Sequence, residues 1–267
     1  MFRAHIGIAT LAAIASLTAT APAVHAADYS PPPIVQPEEH SGWYLRGFVG
    51  VGMSTGSTIE YQPDPVNVGN GFVFDQHSMG DTAFVGGGFG YEVNRWLRFD
   101  GTAEYRTRAQ FNARGVYDPI TGQGDSYQGY IKSLVFLANA FVDLGTWNCF
   151  TPFLGAGVGV AHNQVADFVD MGIGTTGAGF GRNTAEWHLA WALYAGVAYN
   201  VTNNFKVDFT YRYLNLGSAT DTIDCIGGCV ADSYKFGKLQ SHDFMLGMRW
   251  TCCEAPAPER VAIRSKG

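Results

Sequence analysis

The chain has 267 residues, 46% of them apolar and only 15% charged, with a net charge of −6. That apolar content excludes a disordered chain. An acidic balance without a basic run argues against a nucleic-acid partner, because phosphate binding needs a concentrated basic face. The 34 glycines and 14% aromatics point away from packed helices and towards strands joined by tight turns.

Residues 1–26 have the form of an export signal: Arg3 and His5, an uncharged run from Ile6 to Ala21, then Val24-His25-Ala26 at the expected cleavage point. No Cys follows to make a lipoprotein. Residues 27–41, with Pro31-Pro32-Pro33, Pro37, Glu38 and Glu39, form an expected Pro-rich periplasmic linker. Beyond residue 26 no stretch approaches the ~18 consecutive apolar residues of a spanning helix. Membrane entry must therefore use strands.

From Trp43 to Trp250 the chain alternates with period 2. Leu97, Phe99, Gly101, Ala103 and Tyr105 fall on one face, with Arg98, Asp100, Thr102, Glu104 and Arg106 on the other. Phe205, Val207, Phe209, Tyr211 and Tyr213 alternate with Lys206, Asp208, Thr210 and Arg212 in the same way. Six further strands are expected at Trp43 to Met53, Asp81 to Tyr91, Tyr130 to Leu144, Thr151 to Val160, Trp187 to Asn200 and Leu239 to Trp250. The connections alternate as well. Glu92 to Arg95, Gly145 to Phe150 and Val201 to Asn204 are short, whereas 54–80, 107–129, 161–186 and 215–238 are long and polar or Gly-rich. Short periplasmic turns and long external loops are the pattern of outer-membrane barrels. The expected fold is all-β, an eight-stranded antiparallel up-and-down transmembrane β-barrel over residues 42–250, followed by a periplasmic C-terminal tail at 251–267.

The same alternation would suit a soluble barrel such as a lipocalin, with apolar residues inside. Three features favour the membrane. Trp187, Leu189, Trp191, Leu193, Ala195, Val197 and Tyr199 share one face, and its aromatic ends lie roughly 30 Å apart along the normal at a tilt near 40°. Aromatics gather at both expected interfaces: Trp43, Tyr91, Tyr199, Phe205 and Trp250 on one side, Tyr105, Tyr130, Trp187 and Tyr211 on the other. The opposite face mixes charges of both signs. Arg46, Arg98, Arg106, Arg212 and Arg249 are expected to meet Asp100, Glu104, Asp143, Asp208 and Asp243 in a lumen network. Facing lipid, each Arg would cost about 2–4 kcal/mol near mid-depth.

These residues carry a resemblance. Gly42-Trp43-Tyr44-Leu45-Arg46-Gly47, Trp96-Leu97-Arg98-Phe99-Asp100 with Glu104-Tyr105-Arg106, Tyr211-Arg212-Tyr213-Leu214-Asn215-Leu216-Gly217, and the closing Ser241-His242-Asp243-Phe244-Met245-Leu246-Gly247-Met248-Arg249-Trp250 together resemble the opacity-type surface antigens. These are small outer-membrane barrels of alphaproteobacteria, related in architecture to the OmpA membrane domain. The resemblance covers residues 41–250. It implies an abundant surface protein with structural, adhesive or immunogenic roles and no catalytic residues. Such barrels end on a terminal aromatic, here Trp250, so the 17 residues that follow depart from the pattern.

Five cysteines fall where pairing can be weighed. Cys225 and Cys229, as Cys-Ile-Gly-Gly-Cys in the last long loop, suit a small disulfide in an oxidising compartment. No His in that loop supports a metal site instead. Cys149, in a short turn, is expected on the same side as Cys252 and Cys253 and could bridge to either. Gly86-Gly87-Gly88-Phe89-Gly90 and Gly155-Ala156-Gly157-Val158-Gly159 do not lead from a strand into a helix, so a dinucleotide loop is rejected. Lumen space for neighbours such as Arg98 explains the second set better. His188, with Glu186 nearby, is expected at the external rim of the lumen, and no serine is obviously paired with it. The long loops contain Tyr61, Phe72, Phe74, Tyr117, Tyr127, Phe168, Asp221, Asp224, Asp232 and Tyr234, candidates for surface contacts.

The sequence therefore predicts a non-enzymatic barrel in the bacterial outer membrane, without metal or cofactor, that contributes to envelope integrity and displays loops for adhesion or host interaction. The alternative is a narrow porin-like channel, against which a charged plug in so narrow a lumen argues. Expected partners are outer-membrane lipids and lipopolysaccharide, periplasmic chaperones, the barrel-assembly machinery, and host or surface ligands.

Overall fold

The computed structural model describes residues 41–55, 58–62, 73–118, 120–174, 176–227 and 233–254. The expected export signal, the Pro-rich linker and most of the tail lie outside these residues, as do Phe72, Cys229 and Asp232 and the side chains of Tyr61, Phe74, Tyr117, Cys252 and Cys253. Among the described residues eleven strands follow one another: β1 (Gly42–Thr55), β2 (Thr58–Gln62), β3 (Val73–Met79), β4 (Thr82–Glu92), β5 (Leu97–Asp118), β6 (Gln123–Asp143), β7 (Phe150–Ile173), β8 (Ala178–Gly181), β9 (Ala185–Asn200), β10 (Phe205–Ile226) and β11 (Ser233–Glu254). Eight of them close an antiparallel ring, β1-β4-β5-β6-β7-β9-β10-β11, with β11 returning to β1 through Arg46↔Arg249 and Gly50↔Met245. Closure leaves no unpaired edge, which a bilayer that cannot hydrogen-bond the backbone requires.

Around this ring, Leu45, Val49, Val85, Phe89, Leu154, Leu189, Phe209, Leu246 and Met248 point outwards and are exposed. Arg46, Arg98, Arg106, Arg212 and Arg249 are buried inside. Glycines on the inner face of β7 make room for side chains of β6. A Cβ on Gly157 would stand 2.0 Å from Asn139 Oδ1, and one on Gly155 2.3 Å from the Phe141 ring. The space is thus filled by Phe141 and Asn139 rather than by Arg98 directly.

The segments expected as long loops are largely strand. β5, β6, β7, β10 and β11 each run 21–24 residues, more than the ~9–11 that cross a bilayer. The short strands continue the ring where others stop. β2 pairs with β11 above β1, β3 pairs with β5 above β4, and β8 sits between β7 and β10 above β9. The barrel thus has a second, external tier.

β-bulges separate the tiers. Arg106 pairs with Ser133 but Ala109 with Ile131, so three residues of β5 oppose two of β6. On β7 the irregularity falls at Asp167 (φ 51), on β10 at Gly217 (φ 80) and on β11 at Lys238 (φ 54). A one-residue insertion exchanges the faces of everything beyond it. On β5 the buried set changes from Arg98, Asp100, Glu104 and Arg106 to Ala109, Phe111 and Ala113, while Arg108, Gln110, Asn112 and Arg114 turn outwards. Below the bulges the barrel is polar inside and apolar outside. Above them it is apolar inside and polar outside.

At the periplasmic end, β11 pairs with β1 through Cys253↔Trp43 and Glu254↔Gly42, beyond the expected limit at Trp250. Cys149 is a free, exposed thiol, so the expected bridge to Cys252 or Cys253 is not formed. Cys149 lies in the β6–β7 turn, opposite the β11–β1 seam in an eight-membered ring. The diameter is roughly 16 Å for strands ~4.8 Å apart tilted ~40°, whereas a disulfide spans at most ~7 Å between Cα atoms. Cys225 is disulfide-bonded, and Cys229, its expected partner, lies outside the described residues.

Candidate functional site

Two regions concentrate chemistry: the lumen of the membrane tier and the body of the external tier. In the lumen, β5 and β10 face each other across the ring. Glu104 and Arg106 project from β5, Arg212 from β10 and Asp243 from neighbouring β11. Arg106 grips Asp243 through both terminal nitrogens (2.9 and 3.0 Å) and donates to Glu104 at 2.9 Å. Arg212 donates to Glu104 at 2.8 Å and, through Nε, to Asp243 at 2.8 Å. Each carboxylate thus joins two guanidiniums, and the quartet spans the lumen. Phe84 lies under both, 4.8 Å from Arg106 and 5.0 Å from Arg212.

Below it, Asp100 accepts from Arg46 and Tyr44, both at 2.9 Å, and from Asn139 at 2.7 Å. Tyr194, on β9 one strand beyond β7, donates to Asn139. Nearest the periplasm, Arg249 forks onto Asp208 (2.8 and 3.0 Å), and Lys206 holds Glu92 at 3.1 Å. Arg98 pairs with Asp143 at 3.2 Å and stacks 4.0 Å over Phe141. All ten residues expected in the lumen network therefore point inwards, and each is ion-paired there. Glu92, Lys206, Tyr44, Asn139 and Tyr194 were missed, although each stands at the inward phase of its strand. Guanidiniums and carboxylates desolvated together in this way are retained only when paired and hydrogen-bonded.

In the external tier the loop aromatics turn inwards. Phe111 lies 4.5 Å from Phe236 and 5.6 Å from Phe168, and Tyr127 lies 5.2 Å from Tyr234, ring to ring. Tyr127, Phe168, Asp221 and Tyr234 are buried, so they build a core and are not available as surface contacts. Burial pushes the Tyr127 hydroxyl up and raises Asp125. Asp221 caps β8's approach, accepting from Thr184 N and Thr184 Oγ1. Asp224 stays exposed, and its hydrogen bonds from Arg182 hold its carboxyl below the ordinary range.

The outer face of this tier carries Met171, Phe180 and Ile226, all exposed. Met171 and Ile226 flank Ala178 in register, and Phe180 lies beside Asp224. The result is an apolar patch above the membrane, bordered by the Arg182–Asp224 pair.

His188 holds Glu186 at 3.3 Å through Nε2, and Ser218 Oγ lies 3.4 Å from its Nδ1. A serine is therefore within reach, 30 residues away in sequence and brought close by β9–β10 pairing. Both distances are long, and Ser218 belongs to the bulge whose carbonyls at Leu216 and Ser218 are held by Asn163 Nδ2. The trio ties the tier junction together. Among the described residues no group of acids, histidines and cysteines could hold a metal.

A closed antiparallel ring, greasy outside and ion-paired inside, defines a transmembrane barrel of the bacterial outer membrane. Comparison with known proteins agrees: the chain belongs to the outer membrane protein beta-barrel domain family, whose model matches residues 9–250. It is 34% identical over 209 residues to an uncharacterised protein of Brucella abortus, covering 69% of this chain and 71% of that one. It is 30% identical over 152 residues to outer membrane protein PagN of Salmonella typhimurium (54% and 61% covered), and 23% over 172 residues to a candidate adhesin of Rickettsia bellii (64% and 75%). Among solved structures, OprG of Pseudomonas aeruginosa superposes with a TM-score of 0.51 at 14% identity, over 80% of this chain and 97% of that one.

Proposed function

We propose that the protein is a non-conducting, non-enzymatic barrel that holds a rigid attachment platform above the outer membrane. The observation that carries this reading is the apolar patch of Met171, Phe180 and Ile226 on the outer face of the external tier. Solvent-exposed apolar residues clustered beside charges mark protein–protein contact sites. Here they sit on strands braced by an aromatic core, so little order is lost when a partner docks. The similarity to a candidate adhesin of Rickettsia bellii supports a surface role of this kind.

The test is adherence of a non-adherent bacterium displaying the protein to cultured host cells. Wild-type display is expected to raise adherence. The double substitution Phe180→Asp, Ile226→Asp should return it to background while heat-modifiable gel mobility stays that of a folded barrel. Undiminished adherence of the folded double variant would refute the assignment of the patch.

A further inference from the structure

On β4 to β7 the lipid-facing wall changes character. Gly87, Gly101, Ala103 and Ala138 replace the large side chains found elsewhere on that wall and form the floor of a groove of about 500 Å³ between Phe89 and Val158. The pairings Gly87↔Ala103 and Gly101↔Ala138 set these residues in adjacent rows across the strands. A Cβ on Gly101 would meet nothing within 4 Å, and the same holds for Gly47 beside Gly87 on β1. Packing of the barrel does not require glycine at these positions, unlike Gly157 inside. Glycine within a strand weakens it and often marks close approach by another group.

The groove faces hydrocarbon, so a chain must fill it. Beyond its external end the same face of β6 carries a charge. Phe136, which lines the groove, stacks on Trp187 at 6.2 Å, and His162 packs on the same indole at 4.7 Å. Two same-face positions further along β6, past Leu134, stands Lys132, roughly 13 Å from Phe136 along the strand. Lys132 lies opposite the β5 bulge, at the level where the outer face turns from apolar to polar. Arg108, from that bulge, lies 5.6 Å from the Tyr130 ring and is already matched by Asp167 at 2.8 Å. Among the described residues, no carboxylate is paired with Lys132.

We propose that this groove, together with Lys132 beyond its external end, binds one anionic lipid of the outer leaflet, its acyl chain along Ala138 and Gly101 and its phosphate at Lys132. An apolar trough in line along β6 with an ammonium that pairs with no carboxylate among the described residues complements a lipid that joins phosphate to chain. A lipid with a neutral headgroup would use only the trough.

The full-length protein, folded in detergent, would be mixed with lipid A or its dephosphorylated form, and retained lipid counted by native mass spectrometry. Wild type is expected to retain one phosphorylated lipid in preference to the dephosphorylated one. Gly101→Leu should cut retention on the order of tenfold, the loss expected when about two methylene groups lose their contacts. Lys132→Glu should abolish the preference for phosphate but leave chain retention. Ala103→Leu on the neighbouring row serves if Gly101→Leu does not give heat-modifiable barrels. Equal retention by wild type and the filled-groove variant would overturn the proposal. So would a lipid-independent dimer that Gly101→Leu dissolves, which would assign the groove to a second copy.

Discussion

At the scale of single residues, the lumen quartet has no redundancy. Glu104 and Asp243 each bridge Arg106 and Arg212, and all four side chains are almost wholly shielded from solvent. Removing one member leaves an uncompensated charge in a dry interior, a loss of about 3–5 kcal/mol. Arg212→Ala should therefore lower the temperature at which the barrel shifts to its unfolded mobility on gels. Arg182→Ala, which breaks an exposed pair, should leave that temperature within error. Equal effects from the two variants would mean that the quartet does not brace the wall. The ten charged residues of this network could be picked out from sequence because strand alternation assigns each a face. Their pairing could not be, since Glu104 and Arg212 are 108 positions apart and meet only because β5 and β10 stand opposite in the ring.

At the scale of elements, the bulges at Asp167, Gly217 and Lys238 convert one strand into two functional pieces. The lower piece suits lipid and the upper suits water. Phe168 is central to the upper core, in contact with Phe111, Tyr127, Tyr234 and Phe236. Phe168→Ala should cost about 3–5 kcal/mol of packing there. Because that loss falls above the membrane, it should expose β7 and β8 to protease on intact cells while the heat-modifiable barrel persists. Wild-type resistance to protease in the Phe168→Ala variant would show that the external strands do not depend on this core. The bulges also explain why segments such as 107–129 read as polar loops. Past Thr107 the alternation continues in reversed phase with Arg108, Gln110, Asn112 and Arg114 outside, so a search for one apolar face loses the strand.

At the scale of the whole molecule, the two tiers obstruct the axis in different ways. Ion pairs cross the lower lumen from wall to wall, and aromatic rings fill the upper one. An eight-stranded barrel is just wide enough for its own side chains. Planar bilayers containing the protein should therefore show baseline conductance. A steady open channel of reproducible size would contradict a filled lumen. The proposed contacts suit the same geometry, since both the Met171–Phe180–Ile226 patch and the groove over Gly101 face outwards.

What the sequence determined by itself was the outer-membrane barrel. Period-2 alternation is written locally in each strand, and the penalty for placing arginines against lipid chooses which face is inside. The external tier, the burial of Phe168 and Tyr234, the approach of Ser218 to His188 and the isolation of Cys149 were decided only by tertiary structure. Each depends on register across strands distant in the chain or on position around the ring. Neither quantity is encoded in the spacing of neighbouring residues.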